Sequence, residues 1–162
     1  MGSSSFVISS WVMFRRLSWS QRTVLSQAFV LLPVTALALR ALGLARVQEI
    51  LARLGSDTSR GGRSTTESVE KARELAGMID VVARHGILRA NCLQRSVLLW
   101  ALLRGRGIDA ELRIGAQQSP DRPVPLFHAW VEFGGAVLND RADVRQRYVT
   151  FDRVISPPGM WG

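Results

Sequence analysis

The sequence predicts an α+β fold, and three observations predict it. Helical periodicity dominates up to about residue 104, strict alternation takes over after residue 107, and a glycine pair at Gly134–Gly135 sits between two alternating runs. The chain has 162 residues, 47% of them hydrophobic, which suits one real core with a helical appendage. The expected division is a helical N-terminal region and linker over 1–63 and a core over 64–162.

The N-terminal region is the least chemical part. Met1–Ser10 carries no signal-peptide pattern, since Arg15 and Arg16 follow its apolar part and no small-residue cleavage site comes after an apolar core. Ala28–Leu39 is almost wholly apolar. A membrane span needs roughly 20 apolar residues, whereas Gln27 and Arg40 bound this run and Pro33 interrupts it. The expectation is a buried helix kinked at Pro33, with no span, followed by a second helix over Leu44–Leu54 packed back on it. Gly55–Arg63 reads as the linker. Ser64 and Glu67 then form a predicted capping box, and Val69, Ala72, Leu75, Ala76, Ile79, Val82 and Ala83 mark one buried helical face ending near His85–Gly86.

The stretch Asn91–Gly107 carries the chemistry. Asn91 is a good N-cap type, so Cys92 falls in the first turn of a helix that Gly105 and Gly107 stop. At such a tip, free backbone N–H groups and the positive end of the helix dipole favour negative charge on a side chain. A lone cysteine is more often a small buried hydrophobe, so the residues downstream decide its reading.

Ile108–Ala116 alternates as a half-buried strand. Gln117–Pro125 is a proline-rich loop placed to wall a cleft. Phe127–Phe133 is a second strand, with His128, Trp130 and Glu132 on one face; Ala136–Asn139 returns as a third, ending at Asp140. Tyr148–Ile155 offers a further strand. Cys92, His128 and Asp140 thus stand in the order that nucleophilic catalysis uses: a thiol that attacks a carbonyl, an imidazole that takes and returns the proton, and a carboxylate that fixes the ring. For His128 and Asp140 to share a face, the hairpin needs a three-residue loop or a bulge, because a two-residue turn would pair Ala129 with Asp140.

Composition excludes several classes. One cysteine forms no internal disulfide, which fits a reducing compartment and, most simply, the cytoplasm. One cysteine and two histidines are too few for the usual cysteine-rich zinc sites, and neither metal nor cofactor is expected. The charge of +8 is almost all arginine, but no stretch interleaves arginines with exposed aromatics and no nucleic-acid motif occurs.

The segments CLQRSVLLWALLRGRGIDAELRIGA and FHAWVEFGGAVLND together resemble the lasso-peptide leader peptidases, transglutaminase-like cysteine proteases, over about residues 67–154. The resemblance implies a papain-like or transglutaminase-like core with the cysteine helix against an antiparallel sheet. It implies Cys92 as nucleophile, His128 as base and acid, and Asp140 as orienting acid. Many members have alanine before the histidine; here it is Phe127. The implied reaction is removal of the leader from a ribosomally made precursor peptide. Fused members carry an N-terminal peptide-recognition domain; no strand-rich stretch precedes residue 60, so the chain resembles the stand-alone form. That form implies a separate leader-binding protein and an asparagine-synthetase-like cyclase as partners. Composition speaks against nucleic acid, and attachment of Ala28–Leu39 to a lipid interface stays open as a lesser reading. Ala28–Leu39 or the adjoining sheet edge is the candidate docking surface. Asn91 and Gln94 are candidates by proximity for a second oxyanion donor, against capping or surface duty; Trp100 and Trp130 are expected to fill the core, and Arg95 and Ser96 to brace the helix. Two alternatives stay open: a transamidase or other acyltransferase on the same triad, and a non-catalytic peptide-binding module with a disused triad.

Overall fold

The computed structural model describes residues 19–54, 65–85, 90–117 and 124–151. Helix α1 runs Trp19–Leu54, but Gly43 (φ 75°, ψ 166°) breaks it into two helical stretches. The break separates the two helices expected here, but it falls at Gly43 and not at Pro33, which lies inside the first stretch with helical φ/ψ on either side. The burial differs too: Leu25, Ala28 and Leu32 form an inward stripe, while Phe29, Val30, Val34, Leu37 and Leu42 are exposed. A helix that is apolar all round gives no hint of which face turns inward, so the expected burial of Ala28–Leu39 holds for one stripe only. In the second stretch Val47 enters the core. By length and composition alone α1 is also apolar enough to cross a membrane, with a mean hydropathy of 2.0 over an 18-residue window within Arg22–Arg53.

Helix α2 spans Thr66–His85. Its capping box sits one residue later than expected. The Ser68 N–H donates to Thr65 Oγ1 (3.2 Å) and the Thr65 N–H donates to Ser68 Oγ (2.9 Å). Glu67 instead pairs with Lys71 at 2.6 Å along the helix surface. Ala72, Leu75, Ala76, Ile79, Val82 and Ala83 are buried, the face that the periodicity marks. The linker Gly55–Arg63 and Ser64 lie outside the described residues, as does most of the Gln117–Pro125 loop.

Helix α3 spans Cys92–Arg104 and is wrapped on nearly every side, with Val97, Leu98, Leu99 and Leu103 at 2% exposure or less. It ends at Gly105, and Gly107 (φ 73°) turns the chain back into β1 (Glu111–Gln117). Strands β2 (Leu126–Phe133), β3 (Ala136–Val137) and β4 (Val149–Thr150) complete an antiparallel sheet ordered β3-β2-β1-β4. A short helix, α4 (Val144–Arg147), precedes β4.

The sheet is covered on both faces. Leu112, Val131 and Phe133 join the helices in the main core, and Trp130 meets Val144 and Tyr148 on the other side. Glu132 is buried there at 5% exposure. Its carboxylate accepts from Trp130 Nε1 (2.7 Å) and from Arg145 Nε and Nη2 (2.8 and 2.6 Å). A buried carboxylate survives only with such partners. Burial pushes its pKa up, but the hydrogen bonds from Arg145 and Trp130 and the charges of Arg145 and Arg113 outweigh that and hold it below the ordinary value.

The sign follows. A lowered folded-state pKa stabilises the fold above the ordinary carboxylate range, and this is lost as pH falls through the folded value. Glu132→Gln should lower stability by about 1–3 kcal/mol near neutral pH. In urea titrations the gap from the unmodified protein should then narrow as pH drops below the glutamate reference of 4.5. A gap independent of pH would contradict the assignment.

Candidate active site

The tip of α3 is built by its cap. Asn91 Oδ1 accepts from the Gln94 N–H (2.9 Å) and Gln94 Oε1 accepts from the Asn91 N–H (3.1 Å), a reciprocal box. Of the duties open to these two residues, both perform capping. The box uses the Gln94 N–H and leaves those of Cys92 and Leu93 without an intrahelical acceptor. Cys92 is a free, half-buried thiol at this tip.

His128 and Asp140 meet: the imidazole Nε2 is hydrogen-bonded to Asp140 Oδ2, and both side chains are about four-fifths buried, at 19% and 18% exposure. The route to this contact differs from the one expected. The hairpin has a two-residue turn, with Glu132 paired to Val137 and Phe133 to Ala136 around Gly134 (φ 57°) and Gly135 (φ 78°). The odd loop or bulge is therefore not present. Parity is evaded because β3 stops at Val137 and Asp140 has left the ladder, so its carboxyl reaches His128 from a bend.

What ends the ladder also fastens the cysteine helix. Past β3 the Leu138 N–H still donates to the Val131 carbonyl (2.9 Å), and beyond that side chains replace the missing strand along β2. The Val131 N–H donates to Asn139 Oδ1 (2.8 Å), Asn139 Nδ2 donates to Ser96 Oγ (2.8 Å), and Ser96 Oγ donates to the Ala129 carbonyl (2.9 Å). Ser96 is fully buried and stands one turn after Cys92 on the same side of α3. The chain returns from the C-terminal end of α3 into β1, whose Gly115 pairs with His128 and whose Glu111 pairs with Glu132. The Cys92 end of α3 and the His128 end of β2 therefore lie at the same end of the helix–strand pair. No hydrogen bond links the sulfur to the imidazole among the described residues. From the other side, Arg95 Nη1 donates to Asp80 Oδ1 of α2 (2.5 Å). Ser96 and Arg95 thus brace the helix, as expected.

The imidazole is also held by its faces. The Tyr148 ring stacks on His128 with centroids 4.8 Å apart and 25° between planes, and Trp130 lies at 6.1 Å and 24°. Gly115, directly across from His128, makes room for both. A Cβ at Gly115 would stand 3.0 Å from Trp130 Cη2, Tyr148 Cβ and the Val149 carbonyl oxygen. Sequence reasoning passed over Gly115, Asn139 and Tyr148 as site residues. A glycine inside a strand is a signal of close approach and was available; the role of Tyr148 depends on register and had no local signal. Trp100 and Trp130 are core residues, donating to the Ala110 carbonyl (3.0 Å) and to Glu132 respectively.

The site holds a helix-tip thiol, an imidazole with Nε2 engaged by a carboxylate and Nδ1 left over, and beside the sulfur a backbone N–H with no intrahelical acceptor. Such a set can transfer a proton from sulfur, form a thioester and stabilise an oxyanion. Two outcomes are expected of its scaffold. Ser96→Ala and Asn139→Ala should each cost about 1–3 kcal/mol in urea unfolding, and the double variant less than their sum, since they share one network. Strict additivity would contradict the network. Gly115→Ala should lower stability by about 1–3 kcal/mol and shift the His128 ring signals in NMR. Unmoved signals would mean that the stack does not set the ring.

Comparison with known proteins follows the same lines. The family model described as the transglutaminase-like superfamily matches residues 34–152. The microcin J25-processing protein McjB of Escherichia coli is 35% identical over 69 residues, covering 43% of this chain and 31% of that protein. The match thus spans about a third of the relative's length. No solved structure matches the chain significantly. The match over most of the chain, with the α+β architecture, makes this protein a member of the transglutaminase-like superfamily.

Proposed function

We propose that the protein is a cysteine peptidase that removes the leader from a ribosomally made lasso-peptide precursor, with Cys92 as nucleophile, His128 as base and acid, and Asp140 as orienting acid. The carrying observation is the His128–Asp140 contact through Nε2 at the end of the sheet nearest the cysteine helix tip. Similarity to a microcin-processing protein supports the choice of substrate class.

The steps balance without a cofactor. The Cys92 thiol passes its proton to His128 Nδ1, and the sulfur attacks the carbonyl carbon of the scissile bond. The Cys92 N–H donates to the resulting oxyanion. Collapse breaks the C–N bond, His128 returns the proton to the departing amine, and the leader remains as a thioester on Cys92. Water then gives a proton to His128 and attacks the thioester; the leader leaves with a new carboxylate and the thiol is restored. Asp140 keeps the Nε2–H tautomer, so Nδ1 stays available as acceptor.

The reaction belongs in the cytoplasm, where a single thiol stays reduced. The partners are the precursor, a separate leader-binding protein and an asparagine-synthetase-like cyclase.

The test is incubation of the purified protein with precursor and leader-binding protein, read by mass spectrometry. Cys92→Ala and His128→Ala should abolish cleavage, and Asp140→Asn should slow it by roughly 10²- to 10⁴-fold. Transfer of the acyl group to an amine instead of water would show as a leader fragment shifted from the acid by the amine's mass less one water and would favour the acyltransferase. Normal processing by Cys92→Ala would end the peptidase reading.

A further inference from the structure

A groove of about 500 Å³ opens between α1 and the tip of α3. Pro33, Leu37 and Arg40 form one wall, and Asn91, Leu93 and Gln94 form the other. The second wall is the first turn of α3, so the residues that enclose Cys92 in sequence are also groove wall. That wall is held rigid by the Asn91–Gln94 box. On the first wall Leu39 packs against the core, but Leu37 has no such duty: it is 67% exposed, although Leu32, little more than a turn away, is buried. Arg40 lies about one turn beyond Leu37, is exposed, and has no acidic partner among the described residues.

We infer that this groove is a substrate subsite, which takes an aliphatic side chain of the peptide close to the scissile bond, with a carboxylate of the same peptide on Arg40. The inference rests on the reading of Cys92 as nucleophile and names what that site selects. Continuity carries it. A peptide whose carbonyl lies over the sulfur must cross the α3 tip, and the groove opens at that tip with an apolar floor and one cation at its rim. Charge favours the same occupant, since a chain of net charge +8 attracts an acidic peptide. Leu37 and Leu93 select the aliphatic group, and Arg40 selects the acid.

The chain has one cysteine, so alkylation reports on Cys92 alone. In each reaction the sulfur bonds to the reagent's methylene carbon and iodide leaves. The probes are iodoacetamide, N-hexyl-iodoacetamide and 6-(iodoacetamido)hexanoate, each rate being divided by that of glutathione with the same reagent. The hexyl-to-parent rate ratio should be about tenfold in the unmodified protein, the effect of burying two or so methylenes. It should fall to about one in Leu37→Gln, and persist in Val30→Gln, an exposed α1 position outside the groove. Arg40→Glu should reverse any preference for the hexanoate over the hexyl reagent. A ratio unchanged by Leu37→Gln, with iodoacetamide reactivity still dependent on His128, would overturn the subsite alone and leave α1 to another occupant, such as a partner protein or a lipid surface. Cys92 no more reactive than glutathione, and indifferent to His128→Ala, would overturn both the subsite and the peptidase reading.

Discussion

The structure depends on how α3 is fastened to the edge of β2 beyond β3. β3 is two residues long, so most of that edge lacks a strand, and buried backbone groups there need partners. Ser96 and Asn139 supply them for Ala129 and Val131. The same three hydrogen bonds therefore satisfy the sheet edge and fix the height of the cysteine helix against the histidine strand. A longer β3 would have paired the edge by itself and displaced the helix. It would also have kept Asp140 in the ladder and turned it away from His128.

Around that joint, each site group is held twice. α3 is braced through Arg95 to Asp80 on one side and through Ser96 to β2 on the other. His128 is fixed at its Nε2 edge by Asp140 and on its face by Tyr148, whose approach Gly115 permits. Glu132 reaches the same stack indirectly, since it binds Trp130 and also Arg145 on the helix that leads to Tyr148. Local mobility in any of these elements would be felt at the imidazole, and this is a reason for a small site to have so many buried polar contacts.

Much of this was legible in the sequence, where local rules suffice. The α3 boundaries follow from Asn91 and the glycines at 105 and 107; the inward face of α2 follows from its spacing. The order of Cys92, His128 and Asp140 was readable, and so was the bracing by Arg95 and Ser96. What failed was what depends on where a ladder stops. Alternation around Gly134–Gly135 fixes register but not length, so the contact of Asp140 with His128 was reached through the wrong loop geometry. Burial along α1 was not readable, because Phe29, Val30 and Leu37 look as apolar as Ala28 and Leu32. Tyr148 and Gly115 became site residues only through cross-strand neighbours that no local pattern encodes.

The central claim is that the Cys92 sulfur and His128 Nδ1 form one proton-sharing unit while Asp140 keeps Nε2. The most direct measurement is nitrogen NMR of the imidazole rings in histidine-labelled protein, which has only two histidines to assign. The account predicts a protonated Nε2 and an unprotonated Nδ1 in the neutral ring of His128, with the Nδ1 signal moved by alkylation of Cys92 and the Nε2 signal nearly still. An Nδ1 signal that ignores alkylation, or a proton resting on Nδ1 in the neutral ring, would contradict it.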